Sequence, residues 1–371
     1  MWWLIIPVAF YSLGILWLWL ILVRNSDEPV QATDSRPAVS VVVACRNEAK
    51  TITSLLGCLA EQDYPHELLE IIIVNDRSTD RTPVAVSEFI AAGRHHSVPD
   101  IRLIYNTSSG KKSAVRLGVR NSKGELILTT DADCVVGRGW VSAMAGLFVA
   151  TGADMVLGEV YQRGGRGFAS RFGMMEFSAL QAVSEAAVLS GHPVMCNGAN
   201  MGFRRDIYMR HSGELRDDIA SGDDIFLLHA VKRAGGVIRY AGGGAAAAET
   251  AGAVTAAALL WQRARWASKS YAYRDTANLT LAAATAAFVA AVAAAVIAGI
   301  FSSGLMLPAT LYATRLIPDY LITYRNIKKR EEHMPLPYFI LSELIYPFYF
   351  VVVALLAAFP SSRRFSRQIL S

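Results

Sequence analysis

The spacing of apolar positions changes character several times along the chain. Trp2 to Val23 is an uncharged apolar run of 22 residues, long enough to span a bilayer. Trp2, Trp3, Trp17 and Trp19 have the ring type found at membrane interfaces. The run lacks the basic start and small-residue cleavage site of a signal peptide. It is also too long and too uniformly apolar for an ordinary core helix, so a transmembrane helix is expected. Arg24 follows at once, and the positive-inside rule then sets the next segment in the cytosol. Residues 25–37 are polar, hold two prolines and read as a linker.

From Ala38 onward, short continuous apolar runs alternate with helical spacing. Ala38–Ala44, Leu69–Val74, Ile101–Tyr105, Glu125–Thr129 and Met155–Val160 are expected strands. Ala49–Gln62, Thr82–Ala92, Lys111–Asn121, Trp140–Ala150, Phe168–Leu189 and Ile225–Ala234 are expected helices. Alternation at this spacing predicts an α/β domain on a doubly wound, mostly parallel sheet. Phe168, Phe172, Met174, Met175, Phe177 and Leu180 form either a core stripe or a lipid-facing one. Cys196–Asn200 reads as a polar turn, followed by M-G-F-R-R. Ala241–Ala248 is low-complexity and suggests no role.

The C-terminal third turns apolar again. Leu260–Lys269 interleaves cations and aromatics on an expected helix, where Gln262, Arg265, Trp266 and Lys269 share one face. That face is either a solvated basic surface or one that holds a pyrophosphate and stacks on a sugar. Thr276–Thr314 carries no charge, and Leu279–Phe301 and Leu336–Phe359 are expected spans. Leu305–Tyr324 contains Arg315 and Asp319 at i, i+4. It either neutralises them inside a bundle or lies flat at the interface. Three crossings would leave Arg363, Arg364 and Arg367 outside, against the positive-inside rule; two would keep them inside.

Composition agrees with a membrane protein. The chain has 371 residues, 53% of them hydrophobic, and a net charge of +5. The basic residues cluster near apolar segments, which suits anionic membrane lipids and not nucleic acid. Cys45, Cys58, Cys134 and Cys196 form no C-x-x-C pair, so reduced thiols are expected. No dinucleotide or P-loop glycine motif is present. The strand Leu126–Thr129 runs into Thr130-Asp131-Ala132-Asp133. Two carboxylates this close repel unless a cation intervenes, and hard oxygen ligands suit Mg²⁺ or Mn²⁺ with substrate phosphates. The alternative is an ordinary acidic turn. Arg46-Asn47-Glu48 and Asn75-Asp76 stand at equivalent strand ends, where ligands bind in such sheets.

Taken in order, V-S-V-V-V-A-C-R-N-E, I-V-N-D-R-S-T-D, T-D-A-D, N-G-A-N-M-G-F-R-R, G-D-D and Q-R-A-R-W resemble the membrane-embedded family 2 glycosyltransferases. That group includes the cellulose, hyaluronan and poly-N-acetylglucosamine synthases. The resemblance implies a GT-A fold over 38–275, a transmembrane helix at 1–24, a membrane region of two or three helices at 276–360 and a basic tail at 361–371. It implies an integral, multi-pass protein with its catalytic domain in the cytosol.

The same resemblance implies residue roles. Asp76 would contact the uracil or ribose of a UDP-sugar. Asp133 would bind the divalent metal, with Asp131 helping to hold nucleotide and metal. Asp224 would be the general base, although the pair here is Asp223-Asp224 where the family has Glu-Asp. Gln262, Arg265 and Trp266 would hold the diphosphate and the acceptor sugar. The implied activity is inverting transfer from a nucleotide-sugar to a glycan or lipid-linked acceptor. The chain is shorter than the long polymer synthases, which keeps single transfer to a lipid as an alternative. A nucleotide-sugar-binding scaffold without turnover is a second, and a nucleotidyltransferase leaves Q-R-A-R-W without a role.

Overall fold

The computed structural model describes residues 2–25, 35–93, 98–165, 167–219, 221–302, 304–330 and 333–359. Most of the expected linker and all of the basic tail lie outside the described residues. In chain order the elements are α1 (Ile5–Arg24), β1 (Val39–Cys45), α2 (Ile52–Ala60), β2 (Leu69–Asn75), α3 (Thr82–Gly93), β3 (Asp100–Tyr105), α4 (Lys111–Arg120), β4 (Leu126–Thr129), β5 (Val135–Val136), α5 (Trp140–Thr151), β6 (Met155–Gly158) and β7 (Val160–Arg163). They continue with α6 (Phe168–Leu189), β8 (Met201–Arg204), α7 (Arg205–His211), α8 (Asp223–Arg233), β9 (Ile238–Ala241), β10 (Ala248–Ala251), α9 (Ala256–Ala267), α10 (Thr276–Ser302), α11 (Met306–Lys328) and α12 (Leu336–Ala358). Two compact units result: an α/β unit from Asp27–Tyr161 and Met195–Ala251, and a helical unit from Met1–Ser26, Gln162–Val194 and Gly252–Ser371.

The α/β unit is built on a sheet of order β3-β2-β1-β4-β8-β6-β9. β1 runs parallel to β2 and β4, β2 to β3, and β6 to β9. β8 alone runs against its neighbours, β4 and β6. Every residue of β1 and β2 is buried, as continuous apolar runs require when helices cover both faces. Ile52, Leu55, Leu56 and Leu59 of α2 pack with Trp140, Met144 and Phe148 of α5 in the core of this unit.

Four expectations change here. Met155–Val160 is not one strand: the chain breaks at buried Glu159, whose carbonyl accepts hydrogen bonds from Ala248 N (3.0 Å) and Asn200 Nδ2 (2.7 Å). Met201–Arg204, to which the spacing assigns no element, is a strand. It is only four residues long and carries no alternation. A Cβ at Gly202 would stand 2.9 Å from the Leu128 side chain. The helix after β1 begins at Ile52, because the residues before it bond across to the β2 loop: Glu48 N to Thr82 Oγ1 (2.7 Å) and Ala49 N to Asp80 Oδ2 (3.1 Å). Ala241–Ala248 gains a role as well. Its small residues let Ala246, Ala247 and Ala248 bury, and the Ala246 carbonyl accepts from Asn200 Nδ2 at 2.7 Å.

Among the described residues of the helical unit, three helices are long and apolar enough to cross a membrane: Trp2–Arg24, Thr276–Phe301 and Leu336–Ala358, with mean hydropathies of 2.2, 2.4 and 2.1. The Phe168–Leu189 stripe is core, with Phe172, Met174, Met175 and Phe177 buried. Of the two readings of Leu305–Tyr324, the bundle one holds. Arg315 of α11 is 2% exposed and pairs with Asp319 at 2.6 Å and with Glu343 of α12. Its guanidinium lies 4.5 Å from the Phe288 ring of α10, and Tyr11 of α1 donates to Asp319 at 3.2 Å. A buried cation so surrounded ties four helices together.

Asn200 offers a direct check on the α/β unit. It is fully buried, accepts from Trp140 Nε1 at 2.9 Å and donates to two carbonyls. Asn200→Ala removes the partner of Trp140 Nε1 and of the Ala246 carbonyl, while the Glu159 carbonyl keeps its bond from Ala248 N, and each orphaned group costs roughly 1–3 kcal/mol. The midpoint of thermal unfolding in detergent micelles should fall by several degrees; an unchanged midpoint would contradict the role given to this side chain.

Candidate active site

The chemistry collects at the carboxyl edge of the parallel strands, and the antiparallel strand is the reason. Because Thr129 pairs with Met201 in opposite sense, the start of β8 lies beside the end of β4. The 196–200 turn is thereby set next to Asp131. Thr129 Oγ1 donates to the Gly198 carbonyl at 3.1 Å. The Gly198 N–H donates to Asp224 Oδ2 at 3.2 Å, and the Ile225 N–H donates to Asp224 Oδ1 at 2.8 Å. Asp224 stands in the first turn of α8, entered through Gly222 at φ 90°, where acidic side chains suit the exposed amides.

Lys111, the first residue of α4, completes the cluster by pairing with Asp131. A Cβ on Gly198 would stand 3.5 Å from Lys111 Nζ and 3.7 Å from Asp224 Oδ2. The glycine is therefore where the ammonium and the second carboxylate converge. Sequence reading gave Lys111 no role beyond a basic helix. Its available signal was the lysine after Gly110 at the head of that helix.

Asp76 is buried and follows β2 directly. Its N–H donates to the Cys45 carbonyl at 2.8 Å. Its carboxylate accepts from Asn106 Nδ2 at 2.9 Å and from the Gly110 N–H at 3.1 and 3.0 Å. Gly110 has φ 104°, a conformation that favours glycine. Asp76 thus anchors the turn from which Lys111 projects. On the neighbouring loop, Asn47 Oδ1 accepts from Thr79 N at 2.8 Å, and Asp80 accepts from Thr82 N at 2.9 Å. Burial pushes the Asp80 carboxyl up, but the bonds from Thr82 and Ala49 outweigh it and hold the group below its ordinary value.

Asp131 is partly buried and Asp133 is exposed. Lys111 sets one positive charge beside Asp131. Among the described residues no group of three or more His, Cys, Asp or Glu could enclose a metal ion. One or two carboxylates at an open edge nevertheless fit Mg²⁺ or Mn²⁺, which take their remaining ligands from phosphates and water.

Gln262, Arg265 and Trp266 lie in the helical unit, apart in the chain's division from Asp76, Asp131, Asp133 and Asp224. Their helix, α9, begins at Ala256, where Thr255 Oγ1 accepts from Ala258 N at 3.1 Å. It ends at Ala267, so Lys269 falls beyond it and does not continue their face. All three are half-buried, while Arg263 between them is buried.

Comparison with known proteins places the fold and the family. The sequence model of glycosyl transferase family 2 matches residues 40–211, and that of glycosyl transferase family group 2 matches residues 126–360. The fold is therefore the GT-A type, a mixed and mostly parallel sheet with apolar helices toward both chain ends. The chain belongs to the family 2 glycosyltransferases and is a transferase. It is 26% identical over 205 residues to glycosyltransferase AglE of Haloferax volcanii, covering 54% of this chain and 62% of that protein. It is 30% identical over 136 residues to β-monoglucosyldiacylglycerol synthase of Nostoc sp., covering 37% of this chain and 29% of that protein. These matches span less than two thirds of either relative. Among solved structures it is similar to the mannosyltransferase PcManGT of Pyrobaculum calidifontis, solved with GDP-Man and Mn²⁺. The TM-score is 0.58 at 20% identity, over 95% of this chain and 97% of that one.

The acidic edge has a consequence for its cysteine. Burial, then the charges of Asp131 and Asp133, push the Cys134 thiol well above its ordinary value. A raised value keeps the thiol protonated at pH 8, and the thiolate is the nucleophile. Cys134 should remain unmodified by iodoacetamide at pH 8 in the native protein and react once it is denatured, as read by peptide mass spectrometry.

Proposed function

We propose that this family 2 glycosyltransferase is an integral-membrane, multi-pass, inverting and metal-dependent enzyme with its catalytic unit in the cytosol. It moves a sugar from a nucleotide-sugar, in the first instance a UDP-sugar, to a glycan or lipid-linked acceptor at the membrane. The observation that carries the reading is the convergence of Asp131, Lys111 and Asp224 around Gly198 at the carboxyl edge of the sheet. A metal-diphosphate site and a proton acceptor are thereby held within one small region. The three candidate spans support the membrane location.

Asp224 is the general base. Both of its oxygens are oriented by backbone amides, so it meets the acceptor hydroxyl already positioned, takes its proton, and leaves the oxygen free to attack the anomeric carbon. Attack from the face opposite the leaving diphosphate inverts that carbon. Lys111 offsets charge growing on the diphosphate. Asp133 and Asp131 would hold Mg²⁺ or Mn²⁺, which screens the same charge when bound. Asp76 contacts the nucleoside. The roles of Gln262, Arg265 and Trp266, holding diphosphate and acceptor sugar, rest on the resemblance of the Q-R-A-R-W segment. Single transfer to a lipid is the second reading, favoured by the match to a diacylglycerol glycolipid synthase.

The test uses the full-length chain in nanodiscs with Mn²⁺ and a panel of UDP-sugars. GDP-mannose is included because it is the donor named with the structural neighbour. Release of nucleoside diphosphate is expected, and product length on a gel separates single transfer from polymerisation. Asp224→Asn should lower turnover by about 10²–10⁴-fold with UDP affinity nearly unchanged; a wild-type rate would remove Asp224 as base. Asp133→Ala should abolish the Mn²⁺-dependent part of UDP binding, and binding that still responds to Mn²⁺ would overturn the metal assignment.

A further inference from the structure

Arg263 sits inside the Q-R-A-R-W segment but belongs to none of the roles assigned above. It is 4% exposed, among the most buried cations of the helical unit. Its Nε donates to Glu176 Oε2 of α6 at 2.8 Å, and its Nη2 pairs with the same oxygen at 2.7 Å. Glu176 Oε1 in turn accepts from the Tyr349 hydroxyl of α12 at 3.2 Å. On its other side Arg263 reaches the two signature residues next to it. Its Nη1 donates to Gln262 Oε1 at 2.5 Å, and its guanidinium lies 4.3 Å from the Trp266 ring centroid. Phe177 of α6 meets the same indole at 5.8 Å and 47°.

This arrangement has a direction. A guanidinium has donors only, so the side of Gln262 facing it must be the carbonyl oxygen. The Gln262 amide nitrogen is then turned away from Arg263 and presents donors, which suit phosphate or sugar oxygens. Trp266 has its ring plane set by the cation over it and by Phe177 tilted against it. Burying a charge this deeply is strongly unfavourable unless it is fully paired, and Glu176 with Tyr349 supplies that pairing. Arg263 is pinned from α6 and α12 and transmits the constraint to two side chains of α9.

We infer that Arg263, Glu176 and Tyr349 form a positioning triad that sets the amide orientation of Gln262 and the ring plane of Trp266 for the sugar-transfer step. The inference rests on the proposed role of the Q-R-A-R-W segment. Arg263 touches no reacting atom in this account and acts through its neighbours.

Arg263→Lys isolates the effect. A lysine can keep the ion pair with Glu176 but lacks the planar fork needed to hold Gln262 and cover the indole at the same time. The full-length variant is assayed in nanodiscs by release of nucleoside diphosphate from the UDP-sugar that the wild type turns over fastest. Turnover should fall about 10–100-fold, the scale of a misplaced positioning group, with UDP affinity falling in the same direction because Gln262 holds the diphosphate. In a Gln262→Ala, Trp266→Ala background the same substitution should cost less than about threefold more, because its route is gone. A purely structural role would give equal losses in both backgrounds, and that result, or a wild-type rate in Arg263→Lys, overturns the inference. Glu176→Gln is run in parallel and should show the same coupling; it decides the matter if Arg263→Lys does not fold. If Gln262→Ala and Trp266→Ala themselves leave turnover intact, the reading of the segment fails and the triad falls with it. Loss of turnover in those two variants without coupling to Arg263 removes the triad alone.

Discussion

The antiparallel pairing of β8 with β4 is the constraint from which the site follows. In an all-parallel sheet the residues before a strand would lie at the opposite edge from those after its neighbour. Reversing one strand brings the turn before β8 beside the residues after β4. Gly198 can then bond to Asp224 while Thr129 bonds to Gly198. Asn200, one step further along, locks the same turn to Trp140 and to the Ala246 carbonyl. A run of alanines and glycines, unremarkable in sequence, is fitted around that one buried amide.

A second theme is the buried or half-buried cation held against one or two carboxylates. Lys111 does this beside Asp131, Arg263 beside Glu176, and Arg315 between Asp319 and Glu343. Such pairs add little net stability against an apolar replacement, but removing one partner is severe. Their value is geometric. Each fixes side chains from different elements in one arrangement, which a greasy contact would specify less sharply. In the α/β unit the arrangement sets Lys111 beside Asp131 at the carboxyl edge, and in the helical unit it ties α9 to α6 and joins the helices around Arg315.

Sequence alone determined the parts whose physics is local. Continuous, short and β-branched runs such as Ala38–Ala44 and Leu69–Val74 read as strands covered on both faces, as β1 and β2 are, and long uncharged apolar runs announce the candidate spans. The carboxylates Asp76, Asp131 and Asp133 stand out because they follow such runs, Asp224 is singled out through the resemblance, and the order of motifs was enough to name the family. Tertiary structure decided what depends on partners far away in the chain. β8 is four residues with a glycine, a strand only because β4 and β6 flank it. Lys111 and Arg263 look like ordinary basic residues until Asp131 and Glu176 are brought to them across the fold. Charge and hydropathy are properties of a residue and can be read one position at a time. Desolvation and pairing are properties of a place, and only the folded chain has places.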